Sequence, residues 1–132
     1  MDAFEISVAL PVSAAALYEA WLDSAAHSAF TGAKAVIDPS VGGKFTAWDE
    51  YIHGETLELE PGSRIVQSWR TSEFAADAPD SRIEVSFANS EDDTILTLKH
   101  SDLQPGDGDK YKQGWEESYF EPMRAYYGEK AV

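Results

Sequence analysis

Apolar and polar residues alternate from the start of the chain. Phe4, Ile6, Val8 and Leu10 fall on one side of an extended segment and Glu5, Ser7 and Ala9 on the other, which predicts a strand over 4–10 with one buried face. Pro11 closes it. The period then lengthens: Leu17, Tyr18, Trp21 and Leu22 recur at helical spacing behind Ser13, a residue that can cap the first turn, and 24–30 reads as a second short helical piece ended by Gly32. From 33 to 101 the period returns to two, broken by turn formers at 39–43, 61–62, 78–80 and 91–93. These breaks delimit six further strands, near 33–38, 43–49, 52–60, 63–71, 81–88 and 94–101.

After a loop at 102–108, helical spacing resumes over 109–127, with Asp107 or Asp109 placed to cap its start and Gly128 its end. At about 100° per residue, Tyr111, Trp115, Tyr119, Pro122, Met123 and Tyr126 share an arc of about 120°, the width of a core-facing stripe. Pro122 removes a backbone donor and predicts a bend. The order is strand, two short helices, six strands, long helix. This predicts an α+β fold in which a curved antiparallel sheet of about seven strands is covered by the terminal helix, the one element with the length and apolar width to do so. Without repeats or linkers, 1–132 reads as one domain.

Composition sharpens this picture. Leu, Ile, Val and Phe make up only about a fifth of the 132 residues, so the core must lean on its 4 Trp, 6 Tyr and 6 Phe. A net charge of −14 argues against nucleic acid and anionic membrane surfaces, and is a surplus that a salt-rich cytoplasm would screen. No cysteine is present, which removes disulfides, thiol nucleophiles and thiolate metal sites. Met1, Asp2, Ala3, Phe4 and Glu5 lack the basic start and apolar run of a leader, and no apolar stretch is long enough to span a bilayer, so a cytoplasmic location is expected.

Motifs for catalysis are sparse. His27, His53 and His100 lie too far apart for short ligand spacing, and a metal site is not expected. Gly42-Gly43-Lys44 fails the phosphate-loop pattern, since Asp38 and Phe45 stand where Gly and Ser or Thr are needed. No Gly-x-Ser-x-Gly elbow occurs. The carboxylates of 58 and 60, of 91–93 and of 102–109 fit a wet sheet face, a hairpin tip and a solvated loop. No catalytic residue and no cofactor is predicted.

Gly42 to Asp49, Gly54, and Leu59 to Arg70 resemble the centre of the proteins called activator of heat-shock-protein-90 ATPase homologue-like. Ala16 to Trp21 and Gln113 to Pro122 are similar to that family's first-helix and terminal-helix motifs. The resemblance implies the helix-grip fold of the SRPBCC or START-like superfamily, to which the birch pollen allergen belongs. Its members include lipid and hormone carriers, polyketide cyclases and co-chaperone domains. In the eukaryotic activator the similar part is the carboxy-terminal domain.

Large aromatics on both sheet and helix either fill the core or line a cavity. On the cavity reading, Trp48, Trp69, Phe87, Trp115, Tyr119 and Met123 supply apolar contact to a small hydrophobic or amphipathic ligand, with Tyr51 and His100 as polar partners. The expected protein is then a non-enzymatic binder, a monomer or weak dimer. The resemblance implies a second function, contact with a heat-shock chaperone, and a third, a cyclase or hydrolase, which would need an acid or base facing the apolar wall.

Overall fold

The computed structural model describes residues 1–130. Seven strands form one antiparallel sheet in the order β1-β7-β6-β5-β4-β3-β2, built from β1 (Asp2–Leu10), β2 (Val36–Ile37), β3 (Lys44–Ala47), β4 (Ile52–Glu60), β5 (Arg64–Thr71), β6 (Ser81–Ser90) and β7 (Asp93–Leu103). Helices α1 (Ala14–Leu22) and α2 (Ser24–Thr31) connect β1 to β2. The described residues end in a rod made of α3 (Gly108–Trp115), a π turn (Glu116–Phe120) and α4 (Glu121–Lys130). The fold is the helix grip.

The predicted caps of the short helices are present. Ser13 Oγ accepts from Ala16 N–H at 3.2 Å, and Gly32 takes the left-handed conformation (φ 82°) that ends α2. Asp23 adds a third cap, accepting from Ala26 N–H at 2.8 Å.

Several local expectations are corrected. The strand expected at 33–38 shrinks to Val36–Ile37, because hydroxyls of α2 capture its backbone: Ala35 N–H donates to Ser28 Oγ and Ile37 N–H to Ser24 Oγ, both at 2.8 Å. The strand expected at 43–49 stops at Ala47, since Trp48, Asp49 and Glu50 all have positive φ (52°, 56° and 74°). The register of β4 shifts between Thr56 and Glu58, and Leu57 is turned outward, 39% exposed. Finally, neither Asp107 nor Asp109 caps the terminal rod through a side-chain bond at the cap. Asp2, at the start of β1, accepts from the N–H groups of Gly106 and Gly108 at 2.9 Å each. A carboxylate at a helix N-terminus meets both free donors and the positive end of the helix dipole.

The rod runs through Gly128, which therefore does not end it. Within it Glu121 N–H donates to Glu116 O, a five-residue step that defines the π turn. The turn stands directly before Pro122, whose missing donor and bulky ring would conflict with the Ser118 carbonyl in a regular α-helix. It also changes which side chains face inward. Tyr111, Trp115, Tyr119 and Met123 are buried as the uniform spacing predicts, but Phe120 and Tyr127 are buried in place of Pro122 and Tyr126, which are only half-buried. One inserted residue rotates the later stripe.

The outer face of the sheet is polar and cross-linked. Arg64 pairs with Glu84 (2.8 Å), Glu60 (2.7 Å) and Glu58 (3.4 Å), while Arg82 reaches Glu58 (3.3 Å). Pairs of this kind, screened by water, contribute little each. The weight of stabilisation lies on the concave face, where the rod, α1 and α2 meet the sheet.

Candidate functional site

Beneath the middle of the rod the aromatic rings are packed against one another. Trp115 stacks on Trp21 (centroids 6.2 Å), lies 4.5 Å from Tyr119 and 5.7 Å from Trp69, and the space left among them is about 10 Å³, room for at most one water. Buried polar groups pin these rings. Trp115 Nε1–H donates to His100 Nδ1 at 3.0 Å, so the neutral imidazole carries its proton on Nε2 and donates to Ser81 Oγ at 2.9 Å. Ser81 in turn donates to Trp69 O at 2.7 Å. On the other side of the rod, His27 Nδ1–H donates to Trp21 O (2.9 Å) and its Nε2 accepts from the Tyr119 hydroxyl (2.7 Å). Trp21 Nε1–H donates to Gln67 Oε1 at 3.2 Å, and Gln67 donates to Thr56. Burial pushes His27 down to about 4 and His100 down to about 3, and raises the Tyr119 phenol.

Open space lies to one side of these rings. A cleft of about 310 Å³ runs between the first half of the rod and the β3–β5 edge of the sheet. Trp48, Tyr51 and Ile52 form one lip, Trp69 the floor, and Lys110, Tyr111, Gly114, Trp115, Ser118 and Tyr119 the other wall. Gly54 sets how closely β4 approaches β5 beside it: a Cβ there would sit 1.9 Å from Ser68 O and 2.9 Å from the Phe45 ring.

Two features mark the lip. Trp48 lies in the run of three left-handed residues, a conformation that costs non-glycine residues roughly 1–2 kcal/mol each. Its indole Nε1 is covered and, among the described residues, is the one buried side-chain nitrogen or oxygen without a hydrogen-bond partner. On the same lip the Tyr51 hydroxyl donates to Glu73, and from the other wall Lys110 Nζ lies 3.1 Å from the same carboxylate and 5.1 Å from the Tyr111 ring centroid. Burial, reinforced by Glu73, pushes the Tyr51 phenol up, while the Tyr51 and Lys110 bonds hold the Glu73 carboxyl down. The Tyr111 hydroxyl shares a 3.0 Å bond with Thr71 Oγ1.

Of the residues singled out from sequence, the cleft brings together Trp48, Tyr51, Trp69, Trp115 and Tyr119. It does not include the other three. Phe87 packs edge-on against Tyr18 at 6.1 Å, Met123 is fully buried under the rod, and His100 has both ring nitrogens engaged within the protein. Lys110, Tyr111, Gly114 and Ser118 are additions to that set; the available signal is that 110, 114 and 118 form a row spaced by four beside the row 111, 115 and 119. Among the described residues no group of three or more His, Asp or Glu is placed to hold a metal ion, and no helix is long and apolar enough to cross a membrane.

A curved antiparallel sheet gripping a terminal helix, with an aromatic cleft along that helix, defines a helix-grip protein. The chain belongs to the family described as Activator of Hsp90 ATPase homolog 1-like protein, whose model matches residues 11–128. It is 28% identical over 112 residues to the human Activator of 90 kDa heat shock protein ATPase homolog 1, a match covering 85% of this chain and 33% of that protein. The chain thus spans about a third of the length of the curated relatives it matches. Its structure superimposes on an HSP90 activator from Plasmodium falciparum with a TM-score of 0.85 at 26% identity, covering 96% of each chain. It shares its fold with the Aha1 dimer from Colwellia psychrerythraea, with a TM-score of 0.78 at 11% identity over 96% of this chain and 97% of that one.

Proposed function

We propose that this protein is a non-enzymatic binder that holds a small apolar or amphipathic molecule in the cleft beside the terminal helix. The observation that supports the reading is the cleft itself, an aromatic-walled space of about 310 Å³ in an otherwise closely packed interior. That volume lies at the lower end of the roughly 300–1,000 Å³ usual for small-molecule sites. Binding would be driven by apolar area removed from water, about 25 cal/mol per Å² before the costs of association. Trp48, Tyr51, Trp69, Trp115 and Tyr119 would make the contacts; Phe87, His100 and Met123 would support the walls from behind. The test is a backbone NMR titration with lipids, sterols and aromatic polyketides. Shifts should cluster at 48–52 and 108–119, and their absence across the series would end the reading.

The names of the relatives favour a second reading, contact with a heat-shock chaperone of the Hsp90 type; in either reading we take the protein to act in the cytoplasm as a monomer or weak dimer of one domain. Chaperone ATPase rates with and without the protein test it, and equal rates argue against it. A cyclase or hydrolase draws little support. Among the cleft residues Lys110 is already paired with Glu73, and the Tyr51 and Tyr119 phenols are pushed up, away from proton transfer near neutrality.

A further inference from the structure

We propose that the cleft takes an organic cation, an alkylated ammonium carried on a small apolar body, with Glu73 as its counter-ion. This rests on the cleft being a ligand site, and deepens that reading. Observations at three scales share one sign. At the walls, six of the lining side chains are aromatic: Trp48, Tyr51, Trp69, Tyr111, Trp115 and Tyr119. Aromatic faces carry the negative end of the ring quadrupole and attract cations placed over them. At the lip, an ammonium already stands in this setting. Lys110 Nζ lies 5.1 Å from the Tyr111 ring centroid and 3.1 Å from Glu73, and the Tyr51 hydroxyl orients that same carboxylate. The Lys110 side chain is about half exposed (49%), so it holds the place loosely and can swing into water. Over the whole molecule, a net charge of −14 draws cations in and repels anions.

The opposite assignment, a ligand carboxylate replacing Glu73 between Tyr51 and Lys110, fits less well. It works against the net charge, and it would have to strip Glu73 of two partners it already holds, the Tyr51 hydroxyl and the Lys110 ammonium, whereas a cation has only Lys110 to displace.

The probes are benzyltrimethylammonium and neopentylbenzene, which have the same shape, with carbon in place of the charged nitrogen. Both are titrated into the protein and followed by backbone NMR. The cation is expected to bind at least about fivefold more tightly than the neutral isostere, and to lose more of its affinity as salt is raised. Lys110→Met should tighten cation binding several-fold, and Glu73→Gln should weaken it by about the same factor. The neutral probe should change little in either variant. Equal affinity for the two probes, weaker cation binding in Lys110→Met, or tighter binding of phenylacetate than of the cation overturns the cation assignment while leaving a ligand cleft in place. If none of the probes shifts the cleft residues, the cation assignment falls, and the ligand cleft itself is decided by the lipid, sterol and polyketide series.

Discussion

Lowering the pH from about 7 to about 5 should destabilise this protein through two histidines. His27 and His100 are buried and neutral, each with both ring nitrogens in hydrogen bonds, and burial holds them at about 4 and about 3 against an ordinary value of 6.5. The unfolded chain takes up a proton at each as pH falls below about 6.5, and the folded chain does not. Their contribution is therefore complete above about pH 6.5 and declines steadily until the folded histidines themselves protonate near 4 and 3. At pH 5 the unfolded state has gained about 1.5 pH units at each site. At about 1.4 kcal/mol per unit this is roughly 2 kcal/mol per histidine and about 4 kcal/mol together. Typical domains have only about 5–15 kcal/mol to lose. Urea unfolding followed by tryptophan fluorescence at about 0.5 M salt, which screens the surface charge, measures the slope. The paired variant His27→Gln with His100→Gln keeps a donor and an acceptor at each place and should flatten it. A wild-type stability that is level over this range, or a slope that persists in the paired variant, refutes the reasoning.

Three further substitutions have expected outcomes. Asp2→Ala removes the acceptor shared by Gly106 and Gly108 at the start of the rod and should cost about 1–2 kcal/mol in urea melts. Glu50→Gly relieves a left-handed residue with φ 74° and should raise stability by up to about 1 kcal/mol in the same melts; a loss would mean that the turn is not strained. Gly54→Ala would drive a methyl group to 1.9 Å from Ser68 O, and should either abolish soluble expression or lower the thermal midpoint by ten degrees or so.

Much of this fold is legible in local pattern. Alternation locates seven strands and their order, Ser13 and Gly32 mark helix ends, and Gly54, read from sequence only as part of a family motif, has a steric reason in the approach of β4 to β5. What escaped reading depends on distant partners. His27 meets Tyr119 across 92 positions, and Asp2 meets Gly106 across 104, so neither bond leaves a trace in the residues around it. The short β2 follows from hydroxyls of α2 competing for its backbone, and the left-handed run at 48–50 contains no glycine to announce it. Of the eight residues chosen for the site five converge: Trp115 and Tyr119 because aromatics spaced by four on the rod face the sheet, and Trp48, Tyr51 and Trp69 because β5 and the turn between β3 and β4 lie across from them. Phe87, His100 and Met123 face the same interior, but where the rings already touch.

The π turn separates the terminal helix into two reading frames. Tyr111 and Trp115, which wall the cleft, are set by the first; Phe120, Met123 and Tyr127, which anchor the helix in the core, are set by the second. Removing one residue from the turn would let the rod run on as a regular α-helix, with Phe120, Met123 and Tyr127 moved to positions 119, 122 and 126, which uniform spacing turns inward. The turn is thus where the rod absorbs one residue between the cleft wall and the anchor. With the spacing left intact, side chains along the cleft can be exchanged without re-phasing the anchor, which gives one fold room to vary what it holds.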